Sequence, residues 1–409
     1  MTLPPNLKDQ FPLLSQIVND HQIVYLDSAA SSQKPEAVIE AMNNYYRTFN
    51  ANVNRSAYEI AAQATEAIES SRSRIAKFIG ASSANEVVFT KNATESFNLV
   101  VRSWGGQNLS QGDAVLITDM EHHANIVPWQ ILSAERGFEI RWIPLTPDGH
   151  LDLTHLDEML DGVKMVSLTA MSNVLGTLNP VREIADKAHA AGSLVTIDAS
   201  QYVPHLPTNV EDLGADLMCF TGHKMCGPTG IGVLWGREEL LDSMPPFLGG
   251  GDMILDVRKD GFTPNELPHK FEAGTPPIAE IIGLGAAVDF LEGLGMDKIR
   301  EHEVTLTRYA INALGNRYGD DLVIHGPQDP SERGGVLSIQ YKNVHPHDLS
   351  QVLDQSGICI RAGHHCAKPL MKELGVGATS RASLYLYNNE NDIDAFVDSL
   401  EPAGEIFAL

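Results

Sequence analysis

The sequence predicts an α/β protein with a large, mostly parallel sheet covered on both faces, followed by a smaller α+β lobe. Three observations carry this. From residue 24 to 235, short β-branched runs alternate with segments of helical period. Polar motifs collect just after these runs, in the crevice beyond the carboxyl ends of strands where open α/β sheets bind ligands. Glycine and proline then concentrate between 247 and 277, in Gly249-Gly250-Gly251 and Phe271-Glu272-Ala273-Gly274-Thr275-Pro276-Pro277, which reads as a boundary between lobes.

Strands are expected at 86–90, 114–118, 139–143, 165–169, 194–197, 217–221 and 231–235. A long amphipathic helix is expected at 278–294, then strands near 336–341, 359–361 and 381–387. The chain accordingly divides into an N-terminal segment, 1–23, that packs on the small domain, a large domain, 24–277, and a small C-terminal domain, 278–409. No repeat or low-complexity tract interrupts this order.

With 409 residues and 43% hydrophobic content the chain can bury a large core. It carries 29 basic and 53 acidic residues, a formal charge of -24, and no basic run. That balance argues against nucleic acid and anionic membrane surfaces as partners, so an anionic ligand must be gripped by local arginines and backbone N–H groups. Four cysteines, at 219, 226, 359 and 366, show no secreted spacing. Residues 1–20 lack a charged head followed by an apolar stretch, and no apolar run is long enough to span a bilayer. A reducing cytoplasm is the expected location.

Lys224, in Thr221-Gly222-His223-Lys224, follows one strand and precedes a glycine-bounded second, which sets it at a strand end over the core. Asp198 ends the strand before it, in Ile197-Asp198-Ala199-Ser200-Gln201. A lone lysine is ordinarily a solvated charge. An amine and a carboxylate so placed are instead how an α/β enzyme holds pyridoxal phosphate, the amine as a Schiff base with the aldehyde and the carboxylate holding a proton on the pyridine nitrogen.

Other segments add to this pair. Thr94, opening a helix after 86–90, is by itself an ordinary cap, but with Thr221 and His223 it makes a set of phosphate donors. A histidine of Glu121-His122-His123-Ala124-Asn125 can stack on a cofactor ring and shuttle protons. A metal pair is the weaker reading, because adjacent residues of an extended segment point opposite ways. The same holds for His364-His365 and His345-Pro346-His347. Asn173 and Gln201 are either loop-capping amides or contacts to substrate carboxylate and cofactor oxygen. Cys366 lies on a polar, glycine-bearing loop beside Arg361 and two histidines, an environment for a nucleophilic thiol. Cys219 and Cys359 read as small buried hydrophobes, and Cys226 as a packing residue. Arg381 is a candidate carboxylate fork.

Taken together, these segments resemble the cysteine desulfurases of the aminotransferase class V group, specifically the SufS type. The likeness runs from Tyr25-Leu26-Asp27-Ser28-Ala29-Ala30 through the Glu121 and Lys224 motifs to the Cys366 loop. The short loop at 361–369 is similar to the SufS subgroup rather than the IscS subgroup. The resemblance implies fold type I of the pyridoxal-phosphate enzymes and a homodimer with sites at its interface. It implies Lys224 as Schiff-base lysine, His122 as ring-stacking acid/base, Asp198 at the pyridine nitrogen and Gln201 at the phenolate oxygen. It further implies Thr94, Thr221 and His223 at the phosphate, completed by Thr275 of a second copy. Arg381 and Asn173 would hold the substrate carboxylate, with Asn173 also near the cofactor, Arg361 would line the sulfur side, and Arg55 would lie at the entrance. Cys366 would accept the sulfur.

One departure stands out: the family reads Asn-Val-His-Arg where this chain reads Asn52-Val53-Asn54-Arg55, and Tyr58 occupies a frequent second histidine. Asparagine hydrogen-bonds but does not titrate near neutral pH. The implied reaction converts L-cysteine to L-alanine and leaves a persulfide on Cys366, for delivery to a SufE-like or SufU-like acceptor in iron–sulfur cluster assembly. Selenocysteine lyase, or another class V pyridoxal-phosphate enzyme, is the enzymatic alternative. A metal- or thiol-binding scaffold is the non-enzymatic one, and it leaves Lys224, Asp198, Thr94 and Arg381 without a common purpose.

Overall fold

The computed structural model describes residues 3–54 and 57–406. Its central sheet comprises β1 (Val87–Thr90), β2 (Ala114–Thr118), β3 (Glu139–Ile143), β4 (Val163–Thr169), β5 (Leu194–Asp198), β6 (Leu217–Thr221) and β7 (Gly232–Gly236). The spatial order is β1-β7-β6-β5-β4-β2-β3. Neighbours from β3 through β6 pair in parallel, and β7 alone runs against both β6 and β1. Apolar runs are buried along all of β1, β2, β6 and β7, as a sheet covered on both faces requires, whereas the edge strand β3 is partly open. The expected strands are found, with ends shifted by no more than two residues.

Helices α1 (Glu36–Asn44), α2 (Glu59–Phe78) and α3 (Ala93–Leu99) precede the parallel run, and α4 (Ile278–Leu294) and α5 (Met296–Tyr318) follow it. The helix expected at 278–294 is found with those bounds, but it is not amphipathic. Residues on several sides of α4, among them Ile278, Ile281, Leu284, Ala287, Val288 and Leu291, are buried, because α4 is packed between α1 and α2. Two glycines permit that approach: a Cβ on Gly285 would lie 2.5 Å from Ser71 Oγ, and one on Gly283 would lie 2.9 Å from Met42. Packing thus groups α4 with the large sheet. We read the division between lobes as falling in α5, later than the expected break at 277.

The smaller lobe holds β8 (Leu322–Ile324), β9 (Val336–Tyr341), β10 (Arg361–Gly363) and β11 (Thr379–Ser383), in the antiparallel order β8-β9-β11-β10. Its core joins Leu306 and Leu314 of α5 to Leu337, Ile339, Leu353 and Phe396. The single strand expected at 359–361 is two pieces, since Ile358–Cys359 pairs in parallel with Val24–Tyr25 while Arg361–Gly363 joins the sheet. The strand expected to reach 387 stops at Ser383. A turn follows it, in which Tyr385 N–H bonds Asn388 Oδ1 and Asn388 N–H bonds the Tyr385 carbonyl. The N-terminal segment reaches the same lobe through a 2.6 Å Lys8–Asp392 ion pair and the edge of Phe11 on Tyr387, and Phe11 also touches Phe290 of α4.

Candidate active site

The carboxyl ends of the central strands and the Arg361–Lys368 stretch of the smaller lobe enclose one cavity. Its lining includes Thr94, His122, Asn173, Asp198, Gln201, Thr221, His223, Lys224, Arg361, Cys366 and Arg381. Eleven residues singled out in the sequence are thereby brought together. Thr275 is not among them: in the same chain it lines a separate cleft with Lys91, Glu95, Phe247 and Phe271. Arg55 lies outside the described residues.

Lys224 ends a single helical turn, Gly222–Lys224, that begins directly after β6. The turn is tied to the start of the chain because the His223 carbonyl accepts from Ser32 N–H and Lys34 Nζ, each at 3.0 Å. Burial lowers the Lys224 amine to about 8, against the pull of Asp198 and with help from Arg381 and Arg361. An amine so held sheds its proton near neutrality. Asp198 is the last residue of β5, and its Oδ1 accepts from Ser200 N–H at 2.9 Å.

His122 follows β2. Its Nδ1 accepts from Ala124 N–H at 3.1 Å, which leaves the proton of the neutral ring on Nε2. Burial first, then Lys224 and His123, push it down to about 3, so the ring is neutral at physiological pH. Beneath it, Glu121 is fully buried and accepts from Thr118 Oγ1 at 2.7 Å, Thr169 N–H at 2.8 Å and Asn125 Nδ2 at 2.6 Å. Burial pushes its carboxyl up to about 8 despite those donors. Burial also depresses His223, to about 4, and His365, to about 3.

Arg381, on β11, is buried and spans the lobes: Nη1 donates to the Asn173 carbonyl at 2.9 Å and Nη2 to Asp27 Oδ1 at 3.2 Å. Its Nε has no partner, nor do Gln201 Oε1 and His365 Nδ1, and all three residues line the cavity. Buried polar atoms are rarely left so, and their convergence marks a place for a polar ligand. Gly232 adds a close fit, since a Cβ there would meet the Asn92 backbone at 2.5 Å, so β7 lets the start of α3, with Thr94, press up to the cavity. An amine, a carboxylate, a neutral imidazole and a cluster of hydroxyls around one hollow fit pyridoxal phosphate.

Cys366 lies on the smaller-lobe side of the cavity with φ of 56°. Cys226 is fully buried, does not line the cavity and has its thiol pushed up to about 12 by burial. Cys219 is buried as expected, but Cys359 is only half-buried. His345 and His347 stack at the start of the helix Pro346–Gln355, away from the cavity. Among the described residues no group of three or more His, Cys, Asp or Glu is arranged to hold a metal. The sequence missed Asp27 and Glu121 as parts of the site. Both stood inside quoted motifs, and only their partners, Arg381 for Asp27 and the buried donors around Glu121, distinguish them.

No helix among the described residues is long and apolar enough to cross a membrane. The Aminotransferase class-V family pattern matches residues 24–396. Over all of both chains the protein is 50% identical to a probable cysteine desulfurase of Streptomyces coelicolor. It is 48% identical to a cysteine desulfurase of Haloferax volcanii, over 94% of this chain and 90% of that one. Two solved structures superpose closely: an apo cysteine desulfurase from Thermococcus onnurineus, with TM-score 0.93, 37% identity and 98% of each chain covered, and the cysteine desulfurase CsdA of Escherichia coli in an S-sulfonic acid form, with TM-score 0.92, 37% identity and 99% of each covered. The chain belongs to the aminotransferase class-V family, with the type I fold of pyridoxal-phosphate enzymes, and within it to the cysteine desulfurases.

Proposed function

We propose that this desulfurase moves the sulfur of L-cysteine onto Cys366 as a persulfide, with Lys224, His122, Asp198 and Arg381 as the groups that make the transfer possible. The observation that supports this most is the sharing of one cavity by Lys224 and Cys366, which reach it from different lobes.

Pyridoxal phosphate, when bound, supplies an electron sink conjugated to the substrate Cα. Lys224 would bond its aldehyde, Asp198 would hold a proton on the pyridine nitrogen, and Gln201 would contact the phenolate oxygen. Thr94, Thr221 and His223 would bind the phosphate, with Thr275 of a second copy completing the cup in a homodimer. Arg381 would fork the substrate carboxylate, beside Asn173, Arg361 would line the sulfur side of the substrate, and Arg55 would meet the substrate at the entrance. As a free amine Lys224 would take the Cα proton, and an amine lowered to about 8 suits that task. His122 would lie against the ring and donate or accept at Nε2. The Cys366 thiolate then attacks the substrate sulfur: an S–S bond forms, the C–S bond breaks, and the electron pair stays with carbon. Protonation of that carbon, and return of a proton to Cα, releases L-alanine.

By likeness to the SufS type, the persulfide would pass to a SufE-like or SufU-like acceptor protein for iron–sulfur cluster assembly in the cytoplasm. Incubation with L-cysteine, followed by non-reducing peptide mass mapping, tests the first half. The expected result is one added sulfur on the Cys366 peptide with alanine released. Alanine without that mass shift overturns Cys366 as the acceptor.

A further inference from the structure

The Cys366 loop adopts a backbone that side chains disfavour. His365 and Cys366 are successive non-glycine residues with φ of 51° and 56°. Hydrogen bonds hold them there, the His365 ring to Thr379 Oγ1 at 2.9 Å and four to the backbone of the loop. His123 N–H donates to the Cys366 carbonyl at 2.7 Å, and Lys368 N–H donates to His123 Nε2 at 3.0 Å. Cys366 N–H donates to His364 Nδ1 at 3.2 Å, and Asn173 Nδ2 to the His365 carbonyl at 2.8 Å. His123 thus grips the loop twice, from its backbone at Cys366 and from its ring two residues later.

We propose that His123 is a positioning residue for the sulfur-accepting loop: its unprotonated Nε2 holds Cys366 against the cavity, and protonation of that nitrogen loosens the loop. The inference rests on the reading of Cys366 as the sulfur acceptor. A ring that accepts at Nε2 carries its one proton on Nδ1, and imidazolium has no lone pair left for Lys368 N–H. The groups that face the ring are His122 on its own segment, 6.3 Å away, and His364, 5.7 Å away, and Lys368 on the opposed loop. None is an acid. Burial, His364 and Lys368 all keep His123 below the ordinary imidazole value, so the clamp is closed at neutral pH and opens on acidification.

The test is the rate at which iodoacetamide alkylates Cys366 in the cofactor-loaded protein without L-cysteine, read on the Cys366 peptide by mass spectrometry. Near neutral pH, His123→Ala should speed alkylation roughly fivefold, the loss of about one hydrogen bond. His123→Gln, whose amide oxygen can accept where Nε2 does, should restore the rate to within about twofold of wild type. Lys368→Pro deletes the N–H donor, at the first helical position where proline is tolerated, together with the ammonium near the ring, and near neutral pH, where the ring is uncharged, it should match His123→Ala. The ratio of the alanine variant to wild type cancels the titration of the thiol itself. It should fall toward one as the pH is taken below the ordinary imidazole range, because burial, His364 and Lys368 delay charging of the wild-type ring. Equal rates for the alanine variant and wild type near neutral pH, a glutamine variant no better than alanine, a silent Lys368→Pro, or a ratio independent of pH would each overturn the clamp. Alkylation uses no L-cysteine, so these results stand apart from the sulfur-mass experiment that decides whether Cys366 is the acceptor.

Discussion

The two sides of the cavity are built differently. On the Lys224 side, Asp198, Thr221 and Lys224 sit at or just past the ends of buried parallel strands, so the sheet itself sets their positions. On the Cys366 side, the reactive atom rides on a half-buried loop of left-handed backbone, fastened by hydrogen bonds to the other lobe. A group that must bind one cofactor for many turnovers gains from a fixed frame. A sulfur carrier must meet the substrate and then release its cargo, and a loop held by a few polar contacts can do both.

That contrast can be broken experimentally. The largest effect should follow Lys224→Ala, which removes the covalent anchor and the proton acceptor together. Alanine formation should fall by roughly a thousandfold or more, and the yellow band that is bleached by borohydride should be lost. Cys366→Ala should leave that band intact while persulfide on the protein disappears and L-cysteine turnover falls by roughly a hundredfold. If it also loses the band, the two sides are one unit and the comparison fails. A smaller effect concerns acid. His122, His223 and His365 have native values of about 3, 4 and 3, below the ordinary imidazole value. Below about pH 6.5 the unfolded chain therefore binds protons that the native state refuses, and stability is lost as pH falls toward those native values. Urea midpoints of the cofactor-free protein should decline between neutral pH and about pH 5, and a flat profile would place these rings in water.

The sheet was legible because each buried strand is a compact apolar run, and the meeting of Lys224, Asp198 and His122 at one cavity was legible because they lie at or shortly after the ends of such runs. What stayed hidden depends on distant segments meeting. His123 and Lys368 lie 245 residues apart, so nothing local announces their bond. Asp27 and Glu121 were given no role from the sequence, and only the Arg381 guanidinium and the Thr118–Asn125–Thr169 donors reveal one. The misjudged amphipathicity of the helix at 278–294 has the same cause: its outer face is covered by α1 and α2, which arrive from the other end of the chain.

Asp27 and Arg381 are separated by 354 residues, and the pairing of Val24–Tyr25 with Ile358–Cys359 spans almost as much chain. During synthesis the central sheet has all seven of its strands once residue 236 has emerged, well before Arg361, Cys366 or Arg381 exists. Long-range closure comes last and slowly. A nascent or truncated chain can therefore display Lys224 without the thiol proposed to take the sulfur or the arginine proposed to seat the substrate, so on that reading assembly order itself keeps reactive sulfur from being drawn onto an unfinished protein.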